Sequence, residues 1–478
     1  MSTATPVISS IDQFLGRYTD EQLDVFRSAD PNALGNAQRV MVISNGNNIY
    51  VTQMKTWFHF DARWRPDEDD RAVSKAYAEA MTITLLLAQK ENNKFLANFA
   101  NRCLNSQRRE QDLKWLRKEE EISRSVNLLD NDPLKLGTPS GVLDLKTGKL
   151  CKVSRDELIT KSIAVDPVAG ARSELFEDYF LPSVCCGDKD LMTFLQTVCG
   201  YLLTGTTKEE KLFFFYGEGR NGKGTLLTAM GKLMGDYFVD SPSKYLEENK
   251  YFNDDVWAVT FKGKRFALTS EVGGGRKWDK ERINSTTGGD PISGCAKYQA
   301  PMTFFPSHKF IVHGNKKPQV DSDGEGFWSR MCLVPFKKSF FTKEEGLKKG
   351  LKEELQKPEH LVGVLNWAIK GCLMWQKKGL IIPKCVEDAT KQFRKQSDSL
   401  REFYKEVCEF NPEKRVIRKA LFMSYKLFCD DIGVPSNRRL GLTDFYDKVG
   451  KLPRVSKLRS NGKDYFVGID AHDALFGG

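Results

Sequence analysis

No stretch of this 478-residue chain approaches the roughly 18 to 20 consecutive apolar residues that a membrane-spanning helix needs; the longest apolar runs lie at 80–88 and 212–216. A membrane-embedded reading is set aside. The first basic residue is Arg17, so the start lacks the cationic and apolar regions of a secretory signal. The expected location is a cytoplasm, that of the host if the protein is viral. The 11 cysteines include no Cys-x-x-Cys pair, and His59, His308, His313, His360 and His472 are scattered. Neither a zinc spacing nor a disulfide framework results, and the thiols are expected to be free and buried. Internal repeats, low-complexity tracts and long blocks of one charge are also missing.

The composition is that of an ordinary folded protein, 40% hydrophobic and 28% charged. Its length suggests about three domains at roughly 150 residues each. Lys and Arg number 73 against 63 Asp and Glu, and the difference of +10 permits an anionic partner without requiring one.

Residues 1–45, with small polar residues and scattered glycine, read as an N-terminal extension. An α+β domain is expected over 46–190. It begins with the aromatic cluster Tyr50, Trp57, Phe58, Phe60 and Trp64 in strand-like alternation. It continues through 72–124, which has no Pro or Gly and is expected to be mainly helical, and it includes a hairpin at 138–150. Short apolar runs separated by Gly-rich turns and helical stretches then mark an α/β core, placed at 191–345. A helical region at 346–412 follows, with an amphipathic helix over 358–379 carrying Leu361, Leu365, Ala368, Cys372 and Trp375 on one face. The tail, 413–478, reads as two helices (417–431 and 443–449) and two strands (455–459 and 465–469) around the hairpin signal Asn461-Gly462.

Chemistry concentrates in the α/β core. The buried-strand run LFFFY (212–216) leads into GEGRNGKGT (217–225) and an amphipathic helix. Glycines let backbone N–H groups close around phosphate oxygens, the helix N-terminus adds its dipole, and Lys223 can neutralise the β and γ phosphates. The expected phosphate site comprises Gly217, Gly219, Asn221, Gly222, Lys223, Gly224 and Thr225, and its ligand is a nucleoside triphosphate. Gly224 stands where a Ser or Thr normally holds Mg²⁺, so Thr225, one place later, has to serve. A second strand (266–271) ends in Glu271, suited to binding Mg²⁺ or polarising water. A third (309–315) ends in Asn315, suited to orienting the attacking water or sensing the γ phosphate. Arg330 precedes a fourth strand, a place from which an arginine finger can act.

These segments, GEGRNGKGT, the strand ending in Ser270 and Glu271, STTGGDPISG (285–294), HGNKKP (313–318) and GEGFWSRMCLVPF (324–336), together resemble the superfamily 3 helicases. Within them the chain is most similar to the phage and plasmid primase-helicase family related to the poxvirus primase-helicase. The similarity extends back through WFHFDARWRPD (57–67) and TPSGVLDLKTGKL (138–150) and forward through LNWAIKGCLMWQKKGL (365–380), most of the chain. The resemblance implies an AAA+-like P-loop ATPase that forms a ring, usually a hexamer, around single-stranded DNA. Such a ring moves 3′ to 5′ while hydrolysing ATP with Mg²⁺. By position it assigns Lys223 and Thr225 to the phosphate loop, Glu271 to the acidic motif, Asn315 to the sensor and Arg330 to the finger acting on a neighbouring subunit. Thr225 and Glu271 are the metal positions. The family's channel hairpin falls at 289–306, where Lys297 and Tyr298 are the DNA contacts expected, a cation for phosphate and a ring for stacking. Cys295 replaces a residue that is often basic in relatives.

Only some 45 residues precede the first matching segment, too few for the primase domain that many relatives carry, so a primase or polymerase is expected to be a separate partner. The tail resembles a winged helix rich in cations, with Arg438, Arg439, Lys457, Arg459 and Lys463 as candidate DNA contacts. The leading reading is a replicative DNA helicase of a mobile element acting on single-stranded and forked DNA. An origin-binding initiator without strong unwinding and a non-translocating P-loop phosphotransferase are the alternatives.

Overall fold

The computed structural model describes residues 8–249, 254–270, 277–295, 301–318, 320, 325–340 and 348–471. Its first three helices are Ile8–Leu15, Asp20–Ser28 and Ala33–Ser44. Thr19 starts the second with a reciprocal capping box to Gln22. Leu15, Leu23, Phe26, Ala37 and Val40 from these helices share one apolar core with Trp57, Tyr77, Met81 and Phe99. Residues 8–44 are therefore part of the N-terminal packing unit rather than an extension, and the expected division at 45 falls inside a core. Fully buried Arg39 adds a polar tie, donating to the carbonyls of Phe26, Ala29 and Asp30. The same unit holds a sheet in which Thr56–Phe60 lies between Asn48–Val51 and Trp64–Pro66. The expected hairpin near 138–150 gains a third strand, Lys135–Gly137.

The centre of the molecule is a five-stranded, all-parallel sheet of β1 (Leu212–Tyr216), β2 (Phe238–Ser241), β3 (Phe266–Thr269), β4 (Lys309–Gly314) and β5 (Met331–Pro335). Its order is β5-β1-β4-β3-β2. Successive residues of β1 point to opposite faces, so a strand of five apolar side chains can be stable only between two cores. Phe213 and Phe215 enter one, with helices α1 (Lys189–Leu202), α2 (Lys223–Met234) and α3 (Pro358–Lys378). Leu212 and Phe214 enter the other, with Phe261, Trp278, Phe310 and Phe327. Helix α4 (Lys384–Ser397) covers the β5 edge, where Thr390 Oγ1 accepts from the Leu333 N–H at 2.9 Å.

Helices α1 and α3 cross at glycines. A Cβ on Gly200 would lie 2.0 Å from the Cys372 nitrogen, and one on Gly371 would lie 2.0 Å from the Gln196 carbonyl oxygen. Backbone cannot yield as a side chain can, so Gly200→Ala is expected to destabilise the fold by about 3 kcal/mol or more. Denaturant unfolding measures this directly, and a midpoint equal to wild type would show that the crossing is looser than described.

The segment 132–164, whose Leu136, Leu143, Leu145 and Ile163 belong to the central core, is bonded directly to the elements around the sheet. The Gly205 N–H donates to Pro133 O at 2.7 Å, Ala164 N–H to Leu233 O at 2.9 Å, and Asp236 N–H to Ser162 O at 2.9 Å. Fully buried Arg265, just before β3, donates to the carbonyls of Leu203, Asp132 and Lys135 and stacks on Tyr237 at 4.6 Å.

In the tail, α5 (Arg418–Asp431) and α6 (Leu442–Gly450) pack on a sheet of β6 (Arg415–Ile417), β7 (Ser456–Ser460) and β8 (Lys463–Val467). Asn461 (φ 49°) and Gly462 (φ 73°) form the two-residue turn between β7 and β8, both in the left-handed region that such hairpins require. Among the described residues no helix is long and apolar enough to cross a membrane. Every cysteine is a free thiol, and Cys103, Cys185, Cys199, Cys332, Cys372, Cys408 and Cys429 are buried.

Candidate phosphate-binding site

Strand β1 ends at Tyr216, and α2 begins seven residues later with Lys223 as its first residue. Gly222, the N-cap, has a φ of +83° and offers no side chain, so the first N–H groups of α2 are left to a ligand. Its own lack of a side chain is required: a Cβ there would meet Val184 Cγ1 at 2.3 Å. Arg220 also takes a positive φ, 57°, which is a strained choice for a non-glycine residue. Gly224 differs, because a Cβ there would touch nothing within 4 Å. A serine would fit, so the departure at this position is one of chemistry and not of space. Thr225 follows, half-buried on the first turn of α2.

Lys223 is only 5% exposed. Its Nζ donates to Gly217 O at 2.6 Å, Asn221 Oδ1 at 3.0 Å, Glu218 O at 3.3 Å and Asn315 Oδ1 at 3.3 Å. The Asn315 contact follows from the sheet. Strand β4 lies beside β1 with Gly314 opposite Tyr216, so the residue after β4 emerges next to the loop after β1. The chain leaves β1 toward β2 on one side and leaves β4 toward β5 on the other, which makes this pair of carboxyl ends a topological switch point. Ligands of open parallel sheets bind in that crevice. Two cation and amide positions separated by 92 residues thus meet beside an open helix N-terminus.

Arg330 is elsewhere. It closes the helix Glu325–Arg330 and precedes β5, at the amino end of a parallel sheet whose carboxyl end bears the loop. A five-residue strand separates the two by about 13 Å at ~3.3 Å per residue. There its guanidinium pairs with Glu210 at 2.8 Å and donates to Gly326 O at 3.2 Å. Glu271, Lys297 and Tyr298 lie outside the described residues. Strands Ile292–Gly294 and Met302–Phe304 pair antiparallel on either side of the last two. Among the described residues no group of three or more His, Cys, Asp or Glu could hold a metal ion.

The tail positions separate into two kinds. Arg439 donates to Asp430 at 2.6 Å and to Val434 O at 2.8 Å, and Arg438 donates to Lys317 O, joining the tail to the segment after Asn315. Arg439 thus helps hold the tail together and Arg438 ties it to the central unit. Burial pushes the Lys317 ammonium down to about 8, and Arg438 adds to the effect. Lys457, Arg459 and Lys463 are exposed on the β7–β8 hairpin. Lys457 and Arg459 pair with Phe466 and Asp464 and share one face, while Lys463 pairs with Ser460 and belongs to the other.

Sequence reasoning missed residues 336–340, which leave β5 and lie against the loop: Asn221 Nδ2 donates to Phe336 O at 3.2 Å and Ser339 Oγ to Gly219 O at 3.2 Å. Nothing in the string FKKSF marks it, since its role is created by the neighbour it meets.

Residues 37–199 match a family model described as "D5 N terminal like", and 215–330 match one described as "Family of unknown function (DUF5906)". The second match runs from the end of β1 to Arg330 and so contains the loop, Lys223 and Asn315. The chain is 26% identical over 378 residues to "Putative helicase L207/L206" of Acanthamoeba polyphaga mimivirus, covering 74% of this chain and 37% of that protein. It is 24% identical over 226 residues to "Putative helicase 022R" of Frog virus 3, covering 44% and 23%. With "Primase D5" of Fowlpox virus it shares 25% identity over 227 residues, covering 44% and 28%. It therefore spans well under half the length of these curated relatives. A solved structure of the NrS-1 C terminal region aligns over 95% of this chain and all of the other at 9% identity, with a TM-score of 0.46. With the matched segments building the loop, the sheet and the unit joined to it, the chain is similar to D5-like viral proteins named as helicases or primases.

Proposed function

We propose that the chain is an ATP-dependent replicative DNA helicase of a phage or other mobile element, working as a homo-oligomeric ring, a hexamer, that moves 3′ to 5′ on single-stranded DNA. The observation that carries this reading is the meeting of Lys223 and Asn315 at the switch point, beside the uncapped start of α2. The strand order supports an AAA+-like P-loop core, and the viral relatives named as helicases support the activity. In this reading the α2 N–H groups and Lys223 hold the ATP phosphates, Asn315 orients the attacking water, and Glu271 polarises it. Mg²⁺, held by Thr225 and Glu271, screens charge between the phosphates when bound. Arg330, remote from its own loop, supports action on the ATP of the next subunit. Lys297 and Tyr298 contact the DNA strand in the channel, and a separate primase or polymerase supplies synthesis.

DNA-stimulated ATP hydrolysis and displacement of a strand from a forked duplex with a 3′ tail test the proposal. ATPase activity without displacement would leave the origin-binding initiator, and phosphate transfer to a small molecule would leave the phosphotransferase.

The tail's two helices and hairpin support a winged-helix contact with duplex DNA, with Lys457 and Arg459 on one side of the hairpin. Each phosphate neutralised contributes about 0.9 to the slope of log affinity against log salt. Replacing both with alanine is expected to lower that slope by about 1.8, whereas Arg439→Ala is expected to lower thermal stability and leave the slope unchanged. An unaltered slope in the double variant would reassign the hairpin to protein contacts.

A further inference from the structure

Residues 336–340, leaving β5, reach three successive residues of the loop. In addition to the bonds from Asn221 and Ser339, the Phe340 N–H donates to Arg220 O at 2.8 Å. The Phe336 ring rests against Phe215 at 5.3 Å, and a Cβ on Gly217 would come within 2.3 Å of Phe336 O. Asn221 itself is 3% exposed, and both ends of its amide are used: Oδ1 accepts from Lys223 Nζ at 3.0 Å and Nδ2 donates to Phe336 O at 3.2 Å. An ammonium can only donate and a carbonyl can only accept, so the amide has one orientation that satisfies both. A continuous path results, from Lys223 through Asn221 to the end of β5.

The other end of β5 is Arg330. Between them the strand is buried throughout and pairs with β1 along its whole length, from Met331 opposite Leu212 to Pro335 opposite Tyr216. A strand held in register along its whole length behaves as one rigid body, so a tilt imposed at Arg330 is carried to Phe336 rather than absorbed between them.

We propose that Asn221 is a positioning residue that couples Lys223 to strand β5, so that the engagement of Arg330 with a neighbouring subunit alters how tightly Lys223 is held. This rests on the reading of Lys223 as an ATP ligand. The four oxygens on Lys223 Nζ are those with which a phosphate competes, and any change in their hold changes the apparent affinity for ATP by the same factor. Arg330 contacts ATP on the adjoining subunit, so binding at one site is transmitted to the next through β5 and Asn221 as positive cooperativity.

Titration of the assembled full-length protein with a fluorescent non-hydrolysable ATP analogue tests this. The wild type is expected to bind with a Hill coefficient above 1. Asn221→Ala, freed of both bonds, is expected to bind about threefold to tenfold more tightly with a Hill coefficient of 1, and Ser339→Ala, losing one tie, to shift part of the way. A purely structural Asn221 predicts the opposite, weaker binding with a lowered melting temperature. Should Asn221→Ala fail to fold, Ser339→Ala decides alone. Wild-type cooperativity in the variants, weaker binding by both, or a non-cooperative wild type overturns the coupling while leaving the ATP site in place. Failure of the wild type to bind the analogue at all overturns the nucleotide reading and the coupling together.

Discussion

Lys223→Ala is expected to abolish ATP hydrolysis while leaving the fold intact. The side chain is nearly buried, and its ammonium is directed to oxygens at the mouth of the loop, where the phosphates of a nucleotide would gather. Without it the α2 N–H groups remain, but no full positive charge faces the β and γ phosphates. Loss of a single positioned donor to developing negative charge commonly lowers turnover by about 10² to 10³, and a buried ammonium, carrying a whole charge, belongs at or beyond the upper end. The fold is expected to survive because water can replace the ammonium at carbonyls beside the crevice, while the buried body of α2 is untouched. ATPase rate and thermal melting, measured on the same preparation, separate the two effects. Hydrolysis near wild type in a folded Lys223→Ala protein would remove the nucleotide site from the loop.

Mixing Arg330→Ala protein with Lys223→Ala protein is expected to restore part of the ATPase activity that each lacks alone. The reason is geometric. Arg330 stands at the amino end of β5 and the loop at the carboxyl end of β1, so within one chain the arginine is a strand length from the loop. It pairs with Glu210 on the surface, a bond between partly exposed groups that contributes little and can be exchanged for a stronger partner. In a mixed ring some interfaces pair an intact loop with an intact finger, and only those turn over. Arginine fingers contribute on the order of 10³ to 10⁵ in rate, so even a few complementary interfaces rise well above the background of either parent. Absence of recovery in demonstrably co-assembled protein would end the trans assignment.

How much of this was legible in the sequence depended on the range of the contacts. Strand β1, the loop and α2 are contiguous, and an apolar run, a glycine cluster and a periodic apolar face each carry their own signal. The β7–β8 turn was equally plain, because Asn-Gly suits the two left-handed positions it occupies. Asn315 could be singled out as the polar end of a strand, but its contact with Lys223 depends on β4 pairing with β1, which no local pattern encodes. The helices of residues 8–44 were overlooked because each is short and their apolar residues become a core only against Trp57, Tyr77 and Met81. The acceptors of Arg438 and Arg439, Lys317 O and Asp430, carry no local signal because they are set by how the tail folds and docks.

The hydrogen bonds that bind residues 132–135 and 162–164 to Gly205, Arg265, Leu233 and Asp236 have a mechanical consequence. A segment tied at both of its ends by short hydrogen bonds has little independent freedom. Residues 132–164 therefore move with the central sheet as one body, carrying the 135–151 hairpin with them, whereas the helices of residues 8–116 keep a core of their own and are free to be the part that is moved against it.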